Sequence, residues 1–142
     1  MNTLVSVVSD HLVNNNNLEN LDISDDIITE LKNIDFSNYS VTPGCYNRNS
    51  LFNNDMFEII LLVWDEDSVT PLHNHPDNGC ILILLEGDLK EKIINSYMTI
   101  HHKIKPGKYS YIDNNIGKHV IKAIKKSLSI HIYSPPFFYQ KK

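Results

Sequence analysis

The chain has 142 residues, 42% of them hydrophobic and 21% charged, with a formal net charge of -4. That is enough for one domain with a core of its own, and the acidic balance gives no footing for a nucleic-acid partner. Two cysteines, Cys45 and Cys80, without Cys-x-x-Cys spacing, exclude a disulfide scaffold and point to a reducing compartment. Met1 to Val13 lacks the basic flank and continuous apolar stretch of a signal peptide, and no run approaches the ~18 apolar residues of a membrane span. A soluble, cytoplasmic, monomeric protein with a small-molecule partner and no membrane partner is therefore expected.

In chain order, Leu4, Val7, Val8 and Leu12 have the spacing of a short helix over Thr3 to Leu12, which the asparagines Asn14 to Asn17 break. A second helix is expected after Ser24, a natural N-cap, with Asp25 and Asp26 in its first turn and Lys32 near its end. Residues 1–40 thus form a helical section. Beyond Pro43-Gly44 the pattern changes to short β-type runs: Phe57 to Trp64, Cys80 to Leu85, Leu89 to Ile94, Tyr97 to Ile104, Tyr109 to Ile112, His119 to Ile124 and Leu128 to Tyr133. Turn residues at Glu86-Gly87-Asp88, Asn95-Ser96, Lys105-Pro106-Gly107 and Asn114 to Gly117 separate them, so residues 45–137 read as a sandwich or barrel and the whole as one domain.

The segment Pro71-Leu72-His73-Asn74-His75-Pro76 opens one of these runs. In extended chain, residues two apart face the same side, so His73 and His75 can address one metal ion while Asn74 points away. Taken alone, such a pair reads equally well as two hydrogen-bonded imidazoles on a β surface. A third ligand must come from His11, His101, His102, His119 or His131. His11 belongs to the first helix, and His101 and His102 are adjacent on a strand, facing opposite sides, so exposed or packed imidazoles are expected there. His119 follows Ile116-Gly117-Lys118 and enters an apolar strand, the same turn-to-strand position as the first pair, and is the expected third ligand.

The wider frame of His73-x-His75, Cys80 and Gly87, followed by Gly107, Gly117 and His119, resembles the two cupin signatures, with Cys80 where a glutamate ligand usually stands. Four segments narrow the resemblance to the thiol dioxygenases, and to the cysteine dioxygenase family in particular. They are Tyr46-Asn47-Arg48-Asn49, His73-Asn74-His75 with Cys80, Tyr111-Ile112 through Gly117 to His119, and Ser129-Ile130-His131-Ile132-Tyr133-Ser134-Pro135-Pro136-Phe137. The chain is short for that family, ending soon after Ser-Pro-Pro. The resemblance implies an all-β, jelly-roll-like cupin barrel holding one Fe(II) per chain on His73, His75 and His119.

Three imidazoles suit iron but leave its double charge uncompensated, so the substrate is expected to bring an anion. A thiolate does so, since metal coordination deprotonates a thiol. L-cysteine would chelate through sulfur and amine, and both atoms of the cosubstrate O2 would be added to sulfur, giving cysteine sulfinic acid. Arg48, the one arginine among thirteen basic residues, can grip the α-carboxylate through a paired, charge-assisted hydrogen bond, with Tyr46 beside it. Tyr133 is the expected acid or base near sulfur and oxygen, oriented by His131 and behind it Ser129, all on one strand face. The resemblance further implies a thioether bond between Cys80 and Tyr133, and admits Trp64, otherwise a core residue, as a neighbour of Tyr133. Three alternatives stay open: turnover of another small thiol such as 3-mercaptopropionate, a non-enzymatic metal-binding cupin, and a zinc hydrolase built on the same histidines.

Overall fold

A computed structural model describes residues 1–138. Two helices, α1 (Asn2–Asn14) and α2 (Asp25–Lys32), precede eight strands: β1 (Tyr46–Asn53), β2 (Glu58–Trp64), β3 (Cys80–Glu86), β4 (Leu89–Ile94), β5 (Thr99–Ile104), β6 (Tyr109–Ile112), β7 (Lys118–Ala123) and β8 (Ser127–Tyr133). They form two antiparallel sheets, β1-β2-β8-β3-β6 and β5-β4-β7, packed face to face as a flattened barrel. The expected helices appear at their expected places, and the Ser24 hydroxyl accepts from Ile27 N at 3.4 Å as the N-cap of α2. Among the described residues no helix is long and apolar enough to cross a membrane.

Seven strands match the apolar runs to within two residues, and the eighth, β1, was not expected as a strand. Its sequence, Tyr-Asn-Arg-Asn-Ser-Leu-Phe-Asn, is poor in β-formers because it is an edge strand whose outer rim meets solvent. What makes it a strand is tertiary: it pairs with β2 from Tyr46↔Trp64 to Asn53↔Glu58, with a bulge between Ser50 and Phe52.

The three central strands of the large sheet are buried on both faces, which is why they read as continuous apolar runs. Their outward residues, Ile59, Leu61 and Val63, Ile81, Ile83 and Leu85, Ile130 and Ile132, pack under Leu4 and Val8 of α1 and Ile27, Ile28 and Leu31 of α2. Their inward residues alternate between apolar and polar. Ile60, Leu62, Trp64, Leu82 and Leu84 meet Leu89, Ile93, Ile121 and Ala123 of the small sheet, while Ser129, His131 and Tyr133 of β8 point into the same interior. The barrel interior thus holds polar side chains beside its apolar ones.

The β3–β4 turn shows how tightly these layers fit. Gly87 has φ +103°, and a Cβ there would lie 2.0 Å from Ser127 Oγ and 2.7 Å from Lys126 O. Only glycine meets both demands.

Candidate metal centre

The connection from β2 to β3 runs beside β7. Thr70 N donates to Ile121 O at 2.9 Å, and His73 and His119 exchange both backbone hydrogen bonds, each 3.1 Å. Residues paired in this way project to the same side, and His119 shares the inner face of β7 with Ile121 and Ala123. Two residues on, the backbone of His75 is clamped by Asn114, whose Oδ1 accepts from His75 N and whose Nδ2 donates to His75 O, both at 2.8 Å. The result gathers three imidazoles: one ring nitrogen from each of His73, His75 and His119 lies within 4.8 Å of the others, with His75 and His119 buried and His73 at the mouth.

The hydrogen bonds settle where the protons are. Nδ1 of His73 lies 2.8 Å from Pro71 O, and Nδ1 of His119 lies 2.7 Å from Glu91 Oε2; both oxygens can only accept, so both Nδ1 atoms carry hydrogen. In the neutral rings each Nε2 then presents a lone pair, and these two nitrogens face each other at 2.8 Å. Two lone pairs so close repel unless a cation or a proton lies between them. His75 has both ring nitrogens buried and no hydrogen-bond partner among the described residues; the nearby Gly117 backbone does not meet hydrogen-bond geometry. Burial, reinforced by the neighbouring histidines, pushes His73 down to about 4 and His75 to about 3, so both are neutral near pH 7. A neutral, converging and otherwise unsatisfied donor set of this kind fits a first-row transition metal.

Behind His119 sits Glu91 on the inner face of β4, its side chain only 1% exposed. Burial pushes its carboxyl up, but hydrogen bonds from His119, His102 and Ser110 outweigh it, and the net shift is downward. The carboxylate is therefore ionised.

On β8 a second chain of hydrogen bonds leads toward the same space. Trp64 Nε1 donates to Ser129 Oγ at 2.8 Å, and Ser129 Oγ lies 2.8 Å from His131 Nε2. Ser129 Oγ thus accepts from the indole and hydrogen-bonds to the imidazole, and His131 Nδ1 lies 3.2 Å from Tyr133 Oη, which completes the chain. Burial, with the charge of Arg48 adding to it, pushes His131 well below its ordinary value. Cys80 stands directly opposite Tyr133 in the β3–β8 register. Burial raises the Cys80 thiol far above its usual range, with the Glu91 charge adding to the effect, so it stays protonated.

Tyr46 stacks on Trp64 with ring centroids 4.9 Å apart. Arg48 shares that face of β1, opposite Leu62, with its Cζ 5.2 Å from the Tyr46 ring centroid. It is exposed in the edge strand, yet its charge reaches His73 and His131 and helps lower both.

The family model for cysteine dioxygenase type I matches residues 28–141. The chain belongs to this family. Cysteine dioxygenase type 1 of Rattus norvegicus is 30% identical over 104 residues, covering 65% of this chain and 52% of the relative. The Bos taurus protein is 32% identical over 104 residues with the same coverage. The chain therefore spans about half the length of the curated relatives it matches. An RmlC-like cupin from Shewanella frigidimarina NCIMB 400 superposes with TM-score 0.59 at 14% identity, covering 71% of this chain and 85% of that one. That likeness bears out the all-β cupin fold expected from the sequence.

The residues expected at the site, His73, His75, His119, Tyr133, His131, Ser129, Cys80, Trp64, Tyr46 and Arg48, lie in or beside this interior, while His11 lies on α1 and His101 is exposed on β5. Sequence reasoning missed Glu91, Ser110 and Asn114, and it left His102 as an exposed or packed imidazole, whereas its Nε2 bonds to Glu91 Oε1. One signal for Glu91 was present: in Leu89-Lys90-Glu91-Lys92-Ile93 the two-residue alternation places an acid between two apolar residues on the buried face.

The buried, neutral His131 generates a pH dependence. An unfolded histidine ionises near pH 6.5 whereas His131 resists protonation in the fold, so below about 6.5 the unfolded chain binds more protons and stability falls as the pH drops. In denaturant titrations of the metal-free protein, His131→Gln should lose less unfolding free energy than wild type between about pH 7 and about pH 5. Equal slopes would show that His131 is not buried in its neutral form.

Proposed function

We propose that this protein is an Fe(II)-dependent thiol dioxygenase whose substrate is L-cysteine and whose product is cysteine sulfinic acid. The observation that carries the reading is the convergence of His73, His75 and His119 in one barrel interior with the Tyr133–His131–Ser129 chain. Bound by those histidines, ferrous iron would supply adjoining positions for a thiolate and O2 and the redox chemistry that adds both oxygen atoms to sulfur.

The chain's own residues supply the rest. Three neutral donors leave room for an anionic ligand, which favours a thiolate over a neutral substrate. Arg48, with Tyr46 beneath its guanidinium, would take the α-carboxylate, and its exposure at the mouth lets the substrate enter from solvent. Tyr133 holds its hydroxyl proton at the inner end of a chain anchored by the indole of Trp64, where it can donate to or accept from a substrate sulfur or oxygen. Apolar walls from Leu62, Leu82, Ile93 and Ile112 keep bulk water from the interior.

Iron-loaded protein should consume O2 in a one-to-one ratio with cysteine lost and yield the sulfinate by mass. Arg48→Gln should raise the KM for cysteine by on the order of 10–100-fold, the range of a lost charge-assisted hydrogen bond, while leaving iron binding intact. Iron-bound protein that takes up no O2 with cysteine would rule the reading out. Preferred turnover of 3-mercaptopropionate, which keeps a carboxylate but lacks the amine, would replace cysteine with that thiol.

The register that sets Cys80 opposite Tyr133 supports a thioether between Cys80 Sγ and the Tyr133 ring. Its formation removes the thiol hydrogen and one ring hydrogen, with O2 accepting the electrons. After turnover, wild type should migrate as two species under denaturing electrophoresis and Cys80→Ala as one. A single wild-type species with no crosslinked peptide by mass would dismiss the bond.

A further inference from the structure

Glu91 is an expensive residue for this fold. A carboxylate withdrawn from water must be offset by hydrogen bonds or by opposite charge. No lysine or arginine pairs with it among the described residues; its ion-pair partners are the histidines His119 and His102. Both oxygens are occupied. Oε2 accepts from His119 Nδ1 at 2.7 Å, while Oε1 accepts from Ser110 Oγ at 2.9 Å and from His102 Nε2. These donors come from three different strands, β7, β6 and β5, and His102 stands opposite Glu91 in the β4–β5 register, closing the carboxylate off at the half-exposed rim. Among the described residues no other buried carboxylate bonds to the histidine cluster: Glu58 bonds to Ser50 Oγ and Phe137 N, and Asp113 to Tyr111 Oη and the backbone N–H groups of Asn115 and Ile116.

We propose that Glu91 is a positioning residue for the metal. It locks His119 in the tautomer whose Nε2 faces His73 and His75, and it supplies, one imidazole away, the negative charge that the three neutral ligands lack. The inference rests on the metal reading above. It also modifies that reading, because the substrate anion then completes a charge balance that the protein has already begun. Placing the carboxylate behind the ligand rather than on the metal keeps coordination positions open while raising the basicity of His119.

Ferrous affinity, measured by chelator competition, and the Fe(III)/Fe(II) midpoint potential are the readouts. Glu91→Gln keeps the volume and an acceptor for His119 but removes the charge; it should weaken ferrous binding by about 10–100-fold and raise the midpoint potential, since the lost charge favours the ferric state. Glu91→Asp should recover part of both. Wild type that binds ferrous iron while Glu91→Gln matches it in affinity and potential would overturn this inference alone; wild type that binds no ferrous iron would overturn the metal reading with it. Should Glu91→Gln fail to fold, proton–nitrogen correlation spectra of the zinc-loaded wild type decide the matter. His119 protonated at Nδ1 supports the assignment, and His119 protonated at Nε2 refutes it.

Discussion

Two backbone hydrogen bonds between His73 and His119 hold the centre together. They tie a connection with little strand structure of its own to the inner edge of β7, and they place facing imidazoles from residues 46 apart in sequence. A hydrogen-bonded antiparallel pair fixes both residues' Cα–Cβ directions at once, and Pro71 O and Glu91 Oε2 then hold the two rings through their Nδ1 atoms. Asn114 likewise fixes the main chain of His75 by bonding both its backbone N–H and its C=O. The direction from which each histidine enters the site is therefore set by hydrogen bonds to its main chain.

That placement matters because the interior carries an unusual number of buried polar groups. Ser129, His131, Glu91 and His119 are all nearly inaccessible to solvent, and each is bonded into one of two chains: Trp64–Ser129–His131–Tyr133, and Glu91 with its three donors. A satisfied buried network specifies a single arrangement, while a broken one is costly. The fold carries these groups beside the apolar residues of the interior, and a second hydrophobic layer lies on the sheet's outer face against α1 and α2. The two faces of β8 divide the labour: Ile130 and Ile132 hold the sheet to the helices while Ser129, His131 and Tyr133 serve the site.

Much of this was legible in the sequence, for local reasons. Doubly buried strands announce themselves as unbroken apolar runs, and Ser24 with its acidic first turn marks α2 unaided. His-x-His and Ser-x-His-x-Tyr place side chains on one face through the two-residue period alone. What escaped depended on tertiary pairing. Strand β1 is made of turn-prone residues and exists because β2 offers it an edge. Asn114 looked like an ordinary turn residue, and nothing local says that it reaches His75 across 39 positions. Glu91 could have been caught, since an acid on the buried face of a strand needs a partner. His102 was expected as an exposed or packed imidazole, and it does sit half-exposed at the rim; its bond to Glu91 depends on the β4–β5 pairing, which the sequence does not show.

The account's central claim is that three neutral imidazoles, and no protein sulfur or carboxylate, bind the metal directly, leaving an opening for an external thiolate. X-ray absorption of the ferrous-loaded protein, recorded before and after cysteine is added anaerobically, tests this most directly. Three imidazole scattering paths with no sulfur, then a sulfur neighbour appearing with cysteine, is the result expected. A sulfur neighbour before cysteine is added, which would place Cys80 on the metal, or fewer than three imidazoles, would contradict it.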